Sequence, residues 1–346
     1  MNAIKKIAVA AAALAVLAVA AGCDENDGDT KKPKYAETLR VYNAGEYIDM
    51  ATVADFEKEF SVNVEYYEFE SNEDMYAAVV KNPGAYDVLV PSDYMIDRLI
   101  QEGRLEKLDK SKISNIANAA NEYLGPGYDE SNDYVVPYMV GTLGILYNKR
   151  QTGSDVEGWD ALFDPRYQGK VLMIDSQRDA IGVTLKMLGY SLNSSGESEL
   201  AQVKSTLQAA RFTYDESETI RDKMVAGEGA LGVVYSGDAK TAIDRNPDLA
   251  YFIPREGSNK WVDGFVVVKG TQNFEAAQKF IDFMCRPNIA VRNMSKIGYT
   301  SPIRGAWAEF GGNRIMFPTD EELERCEAFL YDAGAAVKYD ELWNDF

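Results

Sequence analysis

From residue 38 onward, short runs rich in β-branched and aromatic residues alternate with runs of helical period, and this alternation constrains the fold more than any other feature of the chain. TLRVYN (38–43) precedes a segment that spaces Val53, Phe56 and Phe60 at i, i+3, i+7. NVEYYEF (63–69) precedes a helical run through Met75, Tyr76, Val79 and Val80, and YDVLVP (86–91) precedes MIDRLIQEG. Strands separated by helices make βαβ units, so a parallel sheet with helices on its faces is expected. An irregular stretch, Asp109 to Asp133, leads into DYVVPYMVGTLGILYNK, which is too long for one typical strand. It reads as a strand that passes from one domain to another and bends near Gly141.

A second alternating block follows: KVLMID (170–175), a helix through Ile181, Leu185 and Leu188, a helix near Glu199 to Ala209, LGVVYS (231–236) and a helix over Ala239 to Arg245. WVDGFVVVK (261–269) and helices near Phe274 to Cys285 and Ile289 to Ile297 return to the first block. The expected fold class is α/β, with two lobes, 37–141 plus 260–306 and 142–259 plus 307–346, and crossover hinge strands beneath a cleft.

The spacing G-x-G-x-x-G occurs at Gly227, Gly229 and Gly232 in GEGALGVVYSGD. A dinucleotide loop needs a strand before it and a helix after it, so that pyrophosphate lands on the helix N-terminus. Here SETIRDKMVA (217–226) is helical and LGVVYS is the strand, so the glycines close a helix and no phosphate is expected.

The first 22 residues differ from the rest: Lys5 and Lys6 precede an apolar run from Ile7 to Ala21, then Gly22 and Cys23. The run is shorter than the roughly 18 residues of a membrane span, so a removed leader over 1–22 is expected. AAGC (20–23) resembles a bacterial lipobox, which implies that Cys23 is the lipid anchor to the cell membrane and that residues 23–36, rich in charge, are a flexible tether; ordinary leader cleavage that leaves Cys23 a free thiol is the alternative. The two other cysteines, Cys285 and Cys326, allow a disulfide without establishing one. With 36 Lys and Arg against 55 Asp and Glu, the net charge of −19 repels nucleic acid and attracts cations.

There is no histidine, which excludes Ser-His-Asp and Cys-His nucleophile systems, H-E-x-x-H metal sites and imidazole acid/base chemistry. No catalytic residue, metal or cofactor is expected. A surface glycan hydrolase built on two carboxylates stays open, because glycosidases need only such a pair.

Ligands of open α/β sheets bind beyond the carboxyl ends of the strands. The segments taken to end the strands are YNAGEYID, VPSDYM, DSQRDA, YSGDA, KWVDGF and IGYTSP. They set Tyr47, Tyr94, Tyr235, Trp261 and Tyr299 beside Glu46, Asp93, Asp179, Asp238 and Asp263. Aromatic faces flank a methylene chain and attract cations, and carboxylates accept charge-assisted hydrogen bonds from ammonium groups. A slender ligand, apolar in the middle and positive at its ends, fits that chemistry. Local alternatives exist: Ser92 or Asp93 as an N-cap, Asp238 as a cap of the next helix, Asp179 paired with Arg178.

YNAGEYI, ESNEDMYA, YDVLVPSDYM, NDYVVPY, LGVVYSGDA and IGYTSP, in that order, resemble the periplasmic spermidine/putrescine-binding proteins, the receptor subunits of polyamine ABC transporters. The likeness runs from about Leu39 to the C-terminus. It implies the two-lobed periplasmic-binding-protein fold, a monomer closing on a polyamine, ABC permease subunits as partners and no enzymatic activity. Carried over residue by residue, Tyr47, Ser92, Tyr94, Asp179, Tyr235, Trp261, Asp263 and Tyr299 fall on pocket positions, and Glu46 and Asp238 match acids of some members. The resemblance implies that Asp263 and Asp179 hold ammonium groups with Asp238 assisting. Ala44 and Tyr235 stand where the family usually has tryptophan, Ser176 where spermidine-preferring members carry aspartate, and Leu330 where they carry glutamine. That balance favours a diamine, and the space beside Ala44 leaves a bulkier organic cation open; a sensor that passes its ligand-bound state to a membrane partner would share the same fold.

Overall fold

The computed structural model describes residues 37–153 and 156–344; the expected leader, Cys23 and the tether lie outside them. The first half opens with β1 (Glu37–Ala44), α1 (Met50–Phe60), β2 (Val62–Phe69), α2 (Asn72–Lys81), β3 (Val88–Leu89) and α3 (Asp93–Gln101). Side chains fix where these helices start: the Asp49 carboxylate accepts from Ala51 N and the Ser71 hydroxyl from Asp74 N. After three 3₁₀ turns in the irregular stretch comes β4 (Val136–Asn148), followed by the short α4 (Lys149–Thr152).

The second half contains β5 (Val171–Ile174), α5 (Gln177–Met187), α6 (Glu197–Ala210), β6 (Thr213–Asp215), α7 (Ser217–Ala226), β7 (Leu231–Tyr235), α8 (Ser236–Arg245) and β8 (Leu249–Phe252). Then come β9 (Lys260–Val267), α9 (Phe274–Met284), α10 (Pro287–Ile297), α11 (Asp320–Glu324) and α12 (Ala333–Trp343). The sequence reading lacked α4, β6, β8 and the two last helices. β6 and β8 are short and only partly buried, so their period is weak.

The strands form one sheet in the order β2, β1, β3, β9, β4, β7, β5, β6, with β8 also on β4. It is mixed, not parallel as expected. β1 pairs in parallel with β2 and β3, and β5 with β6 and β7, but β9 is antiparallel to both β3 and β4. β4 pairs with β9 from Val136 to Thr142 and with β7 from Leu143 to Tyr147, so it changes partner one residue past Gly141. Each part of β4 enters a different core: Val136 and Met139 pack with Leu39, Phe56, Phe265 and Phe280, whereas Leu143 and Ile145 pack with Trp159, Met173 and Val233.

Gly227 ends α7 with φ 80°, the left-handed conformation that costs a side chain most. A Cβ at Gly229 would stand 2.7 Å from Met224 Sδ, so the loop is packed on the core at that residue. Cys285 and Cys326 are both buried free thiols, and the disulfide they allowed does not form. Among the described residues no helix is long and apolar enough to cross a membrane.

Candidate functional site

The loops after β1, β3, β5 and β7 and the start of β9 converge on one region. The sequence reading took Trp261 and Asp263 to follow a strand end. They lie inside β9, in its first half. Because β9 runs antiparallel to β3, that first half lies beside the carboxyl end of β3, where Gly264 N donates to Pro91 O.

Three buried aspartates each accept a tyrosine hydroxyl. Tyr47 donates to Asp263 Oδ2 at 2.8 Å, Tyr235 to Asp179 Oδ2 at 2.7 Å and Tyr299 to Asp238 Oδ2 at 3.1 Å. The rings form a continuous edge-to-face line, with centroids 5.4 Å apart for Tyr47 and Tyr299, 5.2 Å for Tyr299 and Trp261, and 6.1 Å for Trp261 and Tyr235. Tyr299 fits against α8 because residue 237 is glycine; a Cβ there would lie 2.6 Å from the ring.

Burial is the main influence on every one of these groups. It lifts the four tyrosine hydroxyls, Tyr94 included, far above their ordinary pKa, so they act as donors. It raises Asp179 and Asp238 and pushes Asp263 up to about 6, where the Ser92 and Tyr47 hydroxyls offset part of the rise. Asp93 is pushed up to about 7 by burial; the Tyr94 backbone N–H holds it down in part, and the Asp263 charge adds to the rise.

The carboxylates differ in what balances them. Asp238 Oδ1 has the Arg221 guanidinium at 3.1 Å, and Oδ2 also accepts Ser217 Oγ at 2.7 Å. Asp179 accepts Ser176 Oγ at 2.7 Å and approaches Asn259 Nδ2 at 3.5 Å. The pairing of Asp179 with Arg178 does not occur: Arg178 lies over the rings of Tyr94, Phe329 and Tyr339 and donates to Leu330 O. Asp263 Oδ1 is buried with no hydrogen-bond donor, as is Asn259 Oδ1, and the Trp261 Nε1 donor has no acceptor. Ser92 lowers the Asp263 pKa but does not meet hydrogen-bond geometry with Oδ1. An unpaired buried carboxylate oxygen is costly, and an ammonium donor is what would satisfy it.

The remaining positions sit at the margins. Glu46 is at the rim, its side chain 69% exposed and 3.3 Å from Arg221. Ser92 exchanges hydrogen bonds with Asn72, and Tyr94 turns its hydroxyl to Glu73 at 3.0 Å. Ser92 occupies the N-cap position of α3 without a side-chain cap, while Asp93 Oδ1 accepts Tyr94 N. Asp238 lies in the first turn of α8 and caps nothing. Ala44 is half-buried at the end of β1, against the core that holds Tyr47. Leu330 is 64% exposed.

The sequence profile of the bacterial extracellular solute-binding proteins matches residues 51–310. The chain belongs to that family. This solute-binding protein is 32% identical, over 339 residues covering 95% of it and 93% of the relative, to the spermidine/putrescine-binding periplasmic protein of Escherichia coli. Its fold is similar to that of a Listeria monocytogenes protein assigned to a spermidine/putrescine ABC transporter, with TM-score 0.86 and 34% identity over 90% of this chain and 98% of that one. It is also similar to a lipoprotein of Treponema pallidum, with TM-score 0.78 and 26% identity over 89% of this chain and 99% of that one. The solute-binding protein thus has the α/β fold of periplasmic binding proteins, and its relatives are transport receptors.

Sequence reasoning did not single out Asn259, Ser217, Arg221, Asn72 or Glu73. Ser217 and Arg221 are one helical turn apart on α7, a polar pair facing the strand end at Tyr235, and that spacing was the available signal.

Proposed function

We propose that the chain is the extracytoplasmic substrate-binding subunit of a polyamine ABC transporter, delivering putrescine or spermidine to permease subunits without altering it. The observation that carries this reading is the pairing of buried aspartates with tyrosine hydroxyls along an unbroken line of rings, with Asp263 Oδ1 lacking a donor. Ammonium groups at Asp263 and Asp179 supply the missing donors and charge, and Tyr47, Trp261, Tyr235 and Tyr299 enclose the methylene chain. Ser92, Tyr94 and Glu46 complete the rim. The names of the relatives from Escherichia coli and Listeria monocytogenes support the same ligand class.

The lobes are taken as 37–141 plus 260–306 and 142–259 plus 307–346, hinged where β4 changes partner, and the protein as a monomer held to the membrane by lipidated Cys23. The lipoprotein from Treponema pallidum supports that anchor. Calorimetry of the domain without its leader against putrescine, cadaverine, spermidine and spermine tests the reading. Binding of at least one amine with a micromolar or lower dissociation constant is expected, and heat of dilution alone for all four overturns it.

A further inference from the structure

The three aspartates of the site are not equivalent, and the difference lies in a cation that the protein itself supplies. Arg221, on α7, has a side chain only 13% exposed and is held by three acids. Its Nη1 is 3.1 Å from Asp238 and 3.3 Å from Glu46, and its Nε is 3.1 Å from Asp222. Burial opposes its charge, but these carboxylates more than offset that and keep the guanidinium protonated. Among the described residues no lysine or arginine comes within ion-pair distance of Asp179 or Asp263. Of the three aspartates that accept a tyrosine hydroxyl, Asp179 and Asp263 thus have no cation within ion-pair distance, and Asp238 already has one.

We propose that Arg221 is a specificity-determining residue, a tethered cation that occupies the Asp238 position and so limits the ligand to the two ammonium groups that Asp263 and Asp179 accept. This rests on the polyamine reading above. A third ammonium, as in a triamine, finds both oxygens of Asp238 filled, by Arg221 on one side and by Ser217 and Tyr299 on the other. Like charges at close range in a low-dielectric site repel strongly, so Arg221 also rejects a cation that approaches this end. Glu218, three residues before Arg221 on the same helix, is raised to about 7 by burial and by the Asp238 charge.

Calorimetric titration of the parent, Arg221→Gln, and Arg221→Gln with Asp238→Asn against putrescine and spermidine at pH 7.5 tests this. Arg221→Gln should shift the ratio of the two dissociation constants toward spermidine by about tenfold or more, equivalent to about 1.4 kcal/mol. Adding Asp238→Asn should abolish that shift. Equal changes for both amines would make Arg221 only a tie across the cleft and overturn the proposal, as would a shift that survives Asp238→Asn. Should Arg221→Gln fail to fold, Arg221→Gln with Asp222→Asn, which removes one of the acids left unmatched, is titrated against the same outcomes. A parent that binds neither amine overturns the polyamine reading itself, whereas an unchanged ratio overturns the role of Arg221 alone.

Discussion

Tyr47 and Asp263 are 216 residues apart in sequence, and the phenol of one donates to the carboxylate of the other at 2.8 Å. The hydroxyl satisfies Oδ2 and leaves Oδ1 buried without a donor, so the pair is organised but incomplete. Losing one partner of a desolvated charge pair costs about 2–5 kcal/mol. Asp263→Asn should therefore weaken amine binding by at least about tenfold in calorimetry. An unchanged dissociation constant removes Asp263 from the site.

The raised carboxyls give binding a pH dependence of known sign. A cation prefers ionised Asp263 and Asp93, which are pushed up to about 6 and about 7. Affinity should fall as pH drops below about 7, approaching tenfold per pH unit for each proton displaced. Titrations at pH 6 in buffers of different ionisation enthalpy should register proton release on binding.

Without ligand the sign for stability is the opposite. The folded-state pKa of Asp263 lies above its unfolded value, so the folded protein binds the additional proton between about pH 4 and 6. The contribution of Asp263 to stability is present below that window and lost as pH rises through about 6. Asp263→Asn should accordingly raise the urea midpoint more at pH 7.5 than at pH 5. The pH 7.5 gain should be on the order of 2 kcal/mol. An equal effect at both pH values contradicts the assigned burial of the charge.

Gly237 allows Tyr299 to rest on α8, and a Cβ would intrude to 2.6 Å of the ring. Gly237→Ala should displace Tyr299 from Asp238 and cost about 1–3 kcal/mol, read by denaturant unfolding, together with weaker amine binding. Wild-type stability and affinity in this variant would show that the ring has room to move.

Cys23→Ser should release the protein from membranes into the soluble fraction after leader removal. Stable anchoring needs at least two chains' worth of membrane affinity, so loss of the lipidated residue leaves nothing sufficient to hold the protein. Membrane attachment that survives the substitution rejects the anchor.

Much of this was legible in the sequence because long amphipathic periods and strand-end residues are local signals. Val53, Phe56 and Phe60 mark α1, and the residues read at the strand ends include Tyr47, Tyr235 and Tyr299, whose hydroxyls meet Asp263, Asp179 and Asp238. The direction of β9 was not legible, because WVDGFVVVK has the same pattern whichever way it enters the sheet. Nor were the partners of Asp238, since Arg221 reaches it only through the packing of α7 on α8.

The place of β9 in the sheet sets an order of events during translation. The strand lies between β3 and β4, and Phe265 and Val267 belong to the same core as Leu39, Val41 and Phe56, together with Phe280 and Ile289 from the helices that follow. The earliest segment of the chain to leave the ribosome therefore lacks its central strand and two covering helices until Ile297 has been made. The stretch from Leu143 to Phe252 carries nearly all of its own core, so its packing does not wait for β9 and the two helices that follow it.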